Sequence, residues 1–302
     1  MSDLARRPLV SILGDSISTF EGCNPEDFDV FYEGERCDRT GVESAYDTWW
    51  HLVIDAIGGD LLVNGSFSGS MVEGAGFPAA SSERRISALS RDGADPDIVL
   101  VFIGINDYGW GGPANQSAGR GRAVPDAAPE CEERTARLAP VGAAEAFRDA
   151  YGSMLSRIRT SYPDADVWCC TLCPGRLAGA QAPTFIRRLR GVDVRAYDDA
   201  IRLQASEHGC RVIDFASFGL DYEAADGTHP TKRGMRQLAS MAVRSMARQG
   251  VAVDAKRASE LDASFEGSDM HAQDACDRSD CLDCPFARAT GNSWSLVCEK
   301  NL

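Results

Sequence analysis

The sequence predicts an α/β domain with a central parallel sheet flanked by helices, and three observations carry that expectation. Short apolar runs alternate with helix-period segments from residue 9 to residue 248. One of those runs, Ile98-Val99-Leu100-Val101-Phe102-Ile103, is unbroken and of strand length, as suits a strand covered on both faces. The 302-residue chain is 44% hydrophobic and 25% charged, ordinary globular usage that leaves enough apolar side chains for a sizeable core.

Taken in order, Leu9-Val10-Ser11-Ile12-Leu13 reads as the first strand. Residues 45–57 place Trp49, Leu52, Val53, Ala56 and Ile57 at helical spacing, and Gly58-Gly59 stops that helix. Leu61-Leu62-Val63 is the second strand, residues 80–91 a helix with Ile86 and Leu89 inward, and 98–103 the third strand. Residues 108–142, rich in Gly, Pro, Ala and Arg, form too long a connection for a compact domain and read as a lid, an insertion facing substrate or a partly disordered loop. A helix over 143–161, a strand over 166–172, a helix over 193–207, a strand over 211–215 and a last helix over 231–248 follow. Beyond residue 252 the composition shifts to Asp, Ala, Ser and Cys. The expected division is therefore a domain over 1–252 and a Cys-rich appendage over 253–302.

Charge and targeting narrow the function. Lysine and arginine number 31 against 45 acidic residues, a net charge of −14, which argues against binding a phosphate backbone. The run Leu9–Leu13 is broken by Gly14 and Asp15, too short for a signal-peptide core, and no stretch approaches the roughly 20 apolar residues of a membrane span. The expectation is a soluble, cytoplasmic protein that does not bind nucleic acid.

In open parallel sheets, functional residues gather at the carboxyl ends of the strands. Gly14-Asp15-Ser16-Ile17-Ser18 follows the first strand, and Asn64-Gly65-Ser66-Phe67-Ser68-Gly69-Ser70 follows the second. Gly104-Ile105-Asn106-Asp107 follows the third, and Asp226-Gly227-Thr228-His229-Pro230 lies past the fifth. One rim then gathers a serine, glycines, an asparagine and an Asp/His pair. These are a nucleophile, oxyanion donors and a base with its orienting carboxylate, the parts of an acyl-transfer site.

These four blocks, in this order, resemble those of the SGNH hydrolases, also called GDSL-like esterases, over roughly residues 8–250. The resemblance implies a flavodoxin-like three-layer α/β/α sandwich. It implies Ser16 as nucleophile, Gly69 and Asn106 completing an oxyanion hole with Ser16, and Asp226 and His229 completing the triad. Ile17 stands where the family usually has leucine, which preserves shape. No G-x-S-x-G elbow, phosphate-loop motif or H-E-x-x-H is present. The physical roles agree. Ser16 sits where a strand is expected to turn into a helix, Gly69 leaves its own amide approachable, and Asn106 donates without a titrating charge. Asp226 can fix the imidazole tautomer from three residues away.

The family spans lipases, thioesterases and carbohydrate O-acetyl esterases. A small acyl group such as acetyl on a small alcohol or carbohydrate is favoured, because no long apolar stretch near the blocks suggests an acyl-chain groove. A lysophospholipase or thioesterase, or a binding module on the same fold, are the other readings. Asp15 and Trp110 are candidate substrate contacts, whereas Trp49, Trp50 and Phe67 read as core or pocket wall. Catalysis needs no cofactor in this scheme. Of the 11 cysteines, Cys276, Cys281, Cys284 and Cys298 crowd into the appendage. Their spacing suits a structural zinc site, an iron–sulfur cluster, or thiols that stay free or pair as disulfides.

Overall fold

The computed structural model describes residues 6–117, 143–180, 184–189 and 192–262. Five strands form one parallel sheet: β1 (Leu9–Gly14), β2 (Asp60–Asn64), β3 (Ile98–Phe102), β4 (Asp166–Cys170) and β5 (Arg211–Ile213). Their spatial order is β2-β1-β3-β4-β5, the flavodoxin-like winding with a reversal between β1 and β3. The apolar run of β3 is buried from Val99 onward, as expected of a strand covered on both faces. Register brings the strand ends level. Gly14 lies opposite Phe102 and Ile12 opposite Asn64, so the first three blocks emerge from one rim.

The helices pack in two groups. On one side α2 (Trp49–Ala56), α8 (Lys232–Arg248) and α9 (Ala255–Asp262) touch one another; on the other, α6 (Ala143–Ser161) packs with α3 (Glu83–Ser87) and α7 (Arg195–Glu207). Trp49, Trp50 and Trp168 are fully buried between helices and sheet, so the tryptophan pair is core. Three further short helices, α1 (Glu35–Thr40), α4 (Ile105–Trp110) and α5 (Pro113–Ser117), stand in the loops at the rim.

Several elements differ from the sequence expectation for local reasons. The helix expected over 80–91 spans only Glu83–Ser87, because the chain leaves it through a tight Arg91–Ala94 turn with Asp92 at positive φ. The Ile86 carbonyl there accepts the Leu89 amide, three residues on, at 3.1 Å and the Tyr162 hydroxyl at 2.8 Å. The first part of the long connection is helical, as α4 and α5; residues 118–142 lie outside the described residues. A short parallel pair, Gly175–Leu177 with Tyr222–Ala224, was not visible in the sequence. Past residue 252, α9 packs on α2 and α8, and Leu261 is buried. The four cysteines of the appendage lie outside the described residues, as does any metal they hold. No helix among the described residues is long and apolar enough to cross a membrane.

Candidate active site

The nucleophile block leaves β1 through a single 3₁₀ turn, Ser16–Ser18, rather than the helix expected there. Side chains capture the carbonyls a helix would have used. The Thr19 hydroxyl donates to Ser16 O at 3.0 Å, and Asn64 Nδ2 donates to Ser18 O at 2.7 Å. One 3₁₀ turn builds little macrodipole, so any stabilisation of an oxyanion here must come from individually aimed N–H groups. Asp15 closes the turn by accepting the Ile17 N–H at 3.0 Å. Gly14 is required by close approach, since a Cβ there would stand 2.8 Å from both the Ser18 side chain and Ser66 Oγ.

The fourth block brings its base to this turn across 213 residues of chain. His229 Nε2 is 2.9 Å from Ser16 Oγ, and His229 Nδ1 is 2.7 Å from Asp226 Oδ2. Asp226 Oδ1 accepts the backbone N–H groups of Thr228 and His229 at 3.0 and 2.8 Å, folding 226–229 into a turn that aims the imidazole. Burial raises the Asp226 carboxyl, but the His229 charge and these hydrogen bonds outweigh it and bring its pKa to about 2. A carboxylate held ionised at Nδ1 fixes the tautomer that leaves Nε2 free to accept the serine proton. The turn itself is clamped: Tyr32 Oη donates to Pro230 O at 2.9 Å, and Tyr222 Oη donates to Thr228 O.

The oxyanion candidates lie on two loops that are tied together. Asn106, in the first turn of α4, donates one Nδ2 hydrogen to Ser70 O at 2.9 Å, which leaves a second. Its neighbour Asp107 is fully buried and accepts the Val72 and Glu73 amides at 3.0 Å each. Gln116 Nε2 donates to Gly69 O at 2.7 Å. Gly69 sits at φ +75°, a left-handed conformation that glycine adopts without strain. Among the described residues, neither the Ser16 nor the Gly69 amide is bonded to protein, so both remain available to a ligand.

The structure thus brings Ser16, Asp226 and His229 into one relay, with Gly69 and Asn106 on the adjoining loops. Asp15 is 1% exposed and braces the serine turn, so it has no surface for the expected substrate contact. Trp110 ends α4 and is partly exposed. Sequence reasoning missed three supporting residues. Asn24 Nδ2 holds Asn64 O and Ser66 O at 3.1 and 2.9 Å. Arg85 is fully buried and donates to Gly14 O and Pro78 O at 2.7 Å each. Burial lowers the Arg85 guanidinium to about 9, partly offset by the charge of Asp15. Phe31 stacks on the imidazole of His229. An open cleft of about 770 Å³ lies beside Ser68, walled by Glu21, Asn24, Glu26, Asp29, Glu33 and Arg36 among others.

The model of the GDSL-like lipase/acylhydrolase family matches residues 12–237, which include all four blocks. No curated protein matches the chain. A solved structure assigned as a GDSL-like lipase, from Bacteroides uniformis ATCC 8492, is similar at 25% identity and a TM-score of 0.53, covering 80% of this chain and 96% of its own. Another, assigned likewise and from Bacteroides ovatus ATCC 8483, is similar in fold at 22% identity and a TM-score of 0.52, covering 81% of this chain and 99% of its own.

Proposed function

The chain belongs to the GDSL-like lipase/acylhydrolase family and is an ester-hydrolysing enzyme; from that premise we propose that it works as a serine esterase through an acyl-enzyme on Ser16. The observation that carries this reading is the continuous relay from Ser16 Oγ to His229 at 2.9 Å and on to Asp226 at 2.7 Å. In the first half-reaction His229 Nε2 takes the Ser16 proton as Oγ attacks the ester carbonyl, and the Asp226 carboxylate stabilises the imidazolium so formed. The tetrahedral oxyanion accepts from the Ser16 and Gly69 amides and the free Asn106 Nδ2 hydrogen, each worth on the order of 3 kcal/mol in the transition state. His229 then returns its proton to the leaving alcohol, and water repeats the sequence on the acyl-enzyme.

A small acyl group such as acetyl, on a polar alcohol or carbohydrate, is the substrate class we infer. The cleft beside the Gly69 turn carries the carboxylates of Glu21, Glu26, Asp29 and Glu33 against the apolar side chains of Pro25, Phe28 and Val30, so a hydroxylated alcohol would find acceptors there and a long acyl chain only a short apolar wall. Hydrolysis of p-nitrophenyl esters from acetyl to decanoyl tests this. Turnover should fall with chain length and drop by more than 10³-fold in Ser16→Ala. Turnover rising with chain length contradicts the small-acyl reading, and full turnover in Ser16→Ala contradicts the serine mechanism.

A further inference from the structure

We propose that Phe31 is a positioning residue that fixes the plane of the His229 imidazole and stabilises its cation. This inference rests on the reading of His229 as the general base. The two rings are parallel within 6°, with centroids 3.4 Å apart, so one whole face of the base lies against an aromatic face. A stacked neighbour restricts the ring's rotation while leaving both nitrogens in plane, where Asp226 and Ser16 meet them. The negative face of the phenyl ring also attracts the positive charge that appears on the imidazole once the serine proton has moved.

The seating of Phe31 ties the nucleophile turn to the base turn. Its backbone N–H donates to Thr19 Oγ1 at 2.9 Å, and that hydroxyl donates to Ser16 O at 3.0 Å. The next residue, Tyr32, is fully buried and bonded to Pro230 O, one residue past the base. Its ring meets Phe31 edge-on at 5.0 Å. The other side of the phenyl ring carries the Arg36 guanidinium, 5.1 Å from its centroid, itself 3.8 Å from Glu33. Two consecutive residues of one loop therefore reach both halves of the relay, and the Phe31 ring is held from behind as well as in front.

Phe31→Leu keeps an apolar side chain of similar reach and removes the aromatic face; Phe31→Tyr keeps the face. With p-nitrophenyl acetate, Phe31→Leu should lower kcat about tenfold while KM stays within about twofold, and Phe31→Tyr should restore kcat to within about twofold. The rate constant for fluorophosphonate labelling of the active serine should fall in parallel, measured on variants whose melting temperatures confirm folding. A Phe31→Leu variant with wild-type kcat and labelling rate overturns the inference. So does one that changes KM alone, which would make Phe31 a cleft wall, or a folded Phe31→Tyr as slow as Phe31→Leu. Ser16→Ala in the same assays separates the two levels: full turnover there overturns the underlying serine reading, whereas loss there with an unaffected Phe31→Leu overturns only the role of Phe31.

Discussion

Two aspartates feel the charge of the same imidazole, and their surroundings shift them in opposite directions. Asp226 is ionised, with a pKa of about 2, because His229 and backbone hydrogen bonds outweigh its burial. Asp15 is pushed up to about 6, because burial dominates the Ile17 N–H and the charges of His229 and Arg85. Burial acts the same way elsewhere, lifting Glu73 and Asp198 to about 7 and Asp221 to about 6, and raising Asp107 as well. Each of these binds a proton in the native state that the unfolded chain has already released near pH 4–5. Stability therefore falls as pH rises through 6 to 7. Asp226 has the opposite sign: its contribution is complete above the unfolded value near 4 and is lost as pH falls toward 2. Calorimetry should find the melting temperature several degrees higher at pH 5 than at pH 8. A melting temperature that climbs steadily from pH 5 to pH 8 would contradict this assignment of buried carboxyls.

At the scale of elements, loops rather than helices set the site, and they do so through backbone contacts that tolerate no added atom. A Cβ on Gly175, in the short strand Gly175–Leu177, would stand 2.5 Å from Gly227 O and 3.1 Å from the Ala224 Cβ. Gly175→Ala should therefore displace the 226–229 turn and reduce kcat at least tenfold while leaving most of the protein folded, as kinetics beside circular dichroism would show. Unchanged kcat would mean that this strand does not position the base. The same contrast explains what the sequence could disclose. Strands β1 to β5 were legible because apolar runs of that length have few alternatives, and the four blocks were legible because each follows its own element in a fixed order. Phe31, Asn24 and Arg85 were not legible. Each acts on a partner far along the chain, from Asn64 for Asn24 to His229 for Phe31, and only the tertiary fold makes those meetings. The expected helix over 80–91 failed for a related reason: a helical apolar period persists through Leu89, but Ile86 O accepts the Leu89 amide three residues on and the hydroxyl of Tyr162, just past α6.

For the whole molecule, the winding order β2-β1-β3-β4-β5 places the ends of three adjacent strands at one rim, where Ser16 meets His229. Helices on both sides bury the sheet, so the rim is where the chain can present polar groups without breaking the core. The net charge of −14 adds a field that disfavours the approach of anionic esters. In the proposed mechanism Ser16 forms the covalent intermediate. Incubation with a fluorophosphonate, followed by peptide mass mapping, reads this directly: Oγ displaces fluoride and the adduct stays on the nucleophile. A single adduct is expected on Ser16, absent from Ser16→Ala and formed at least about a hundredfold more slowly in His229→Ala. An adduct on another residue, or labelling of Ser16→Ala at the native rate, would contradict it.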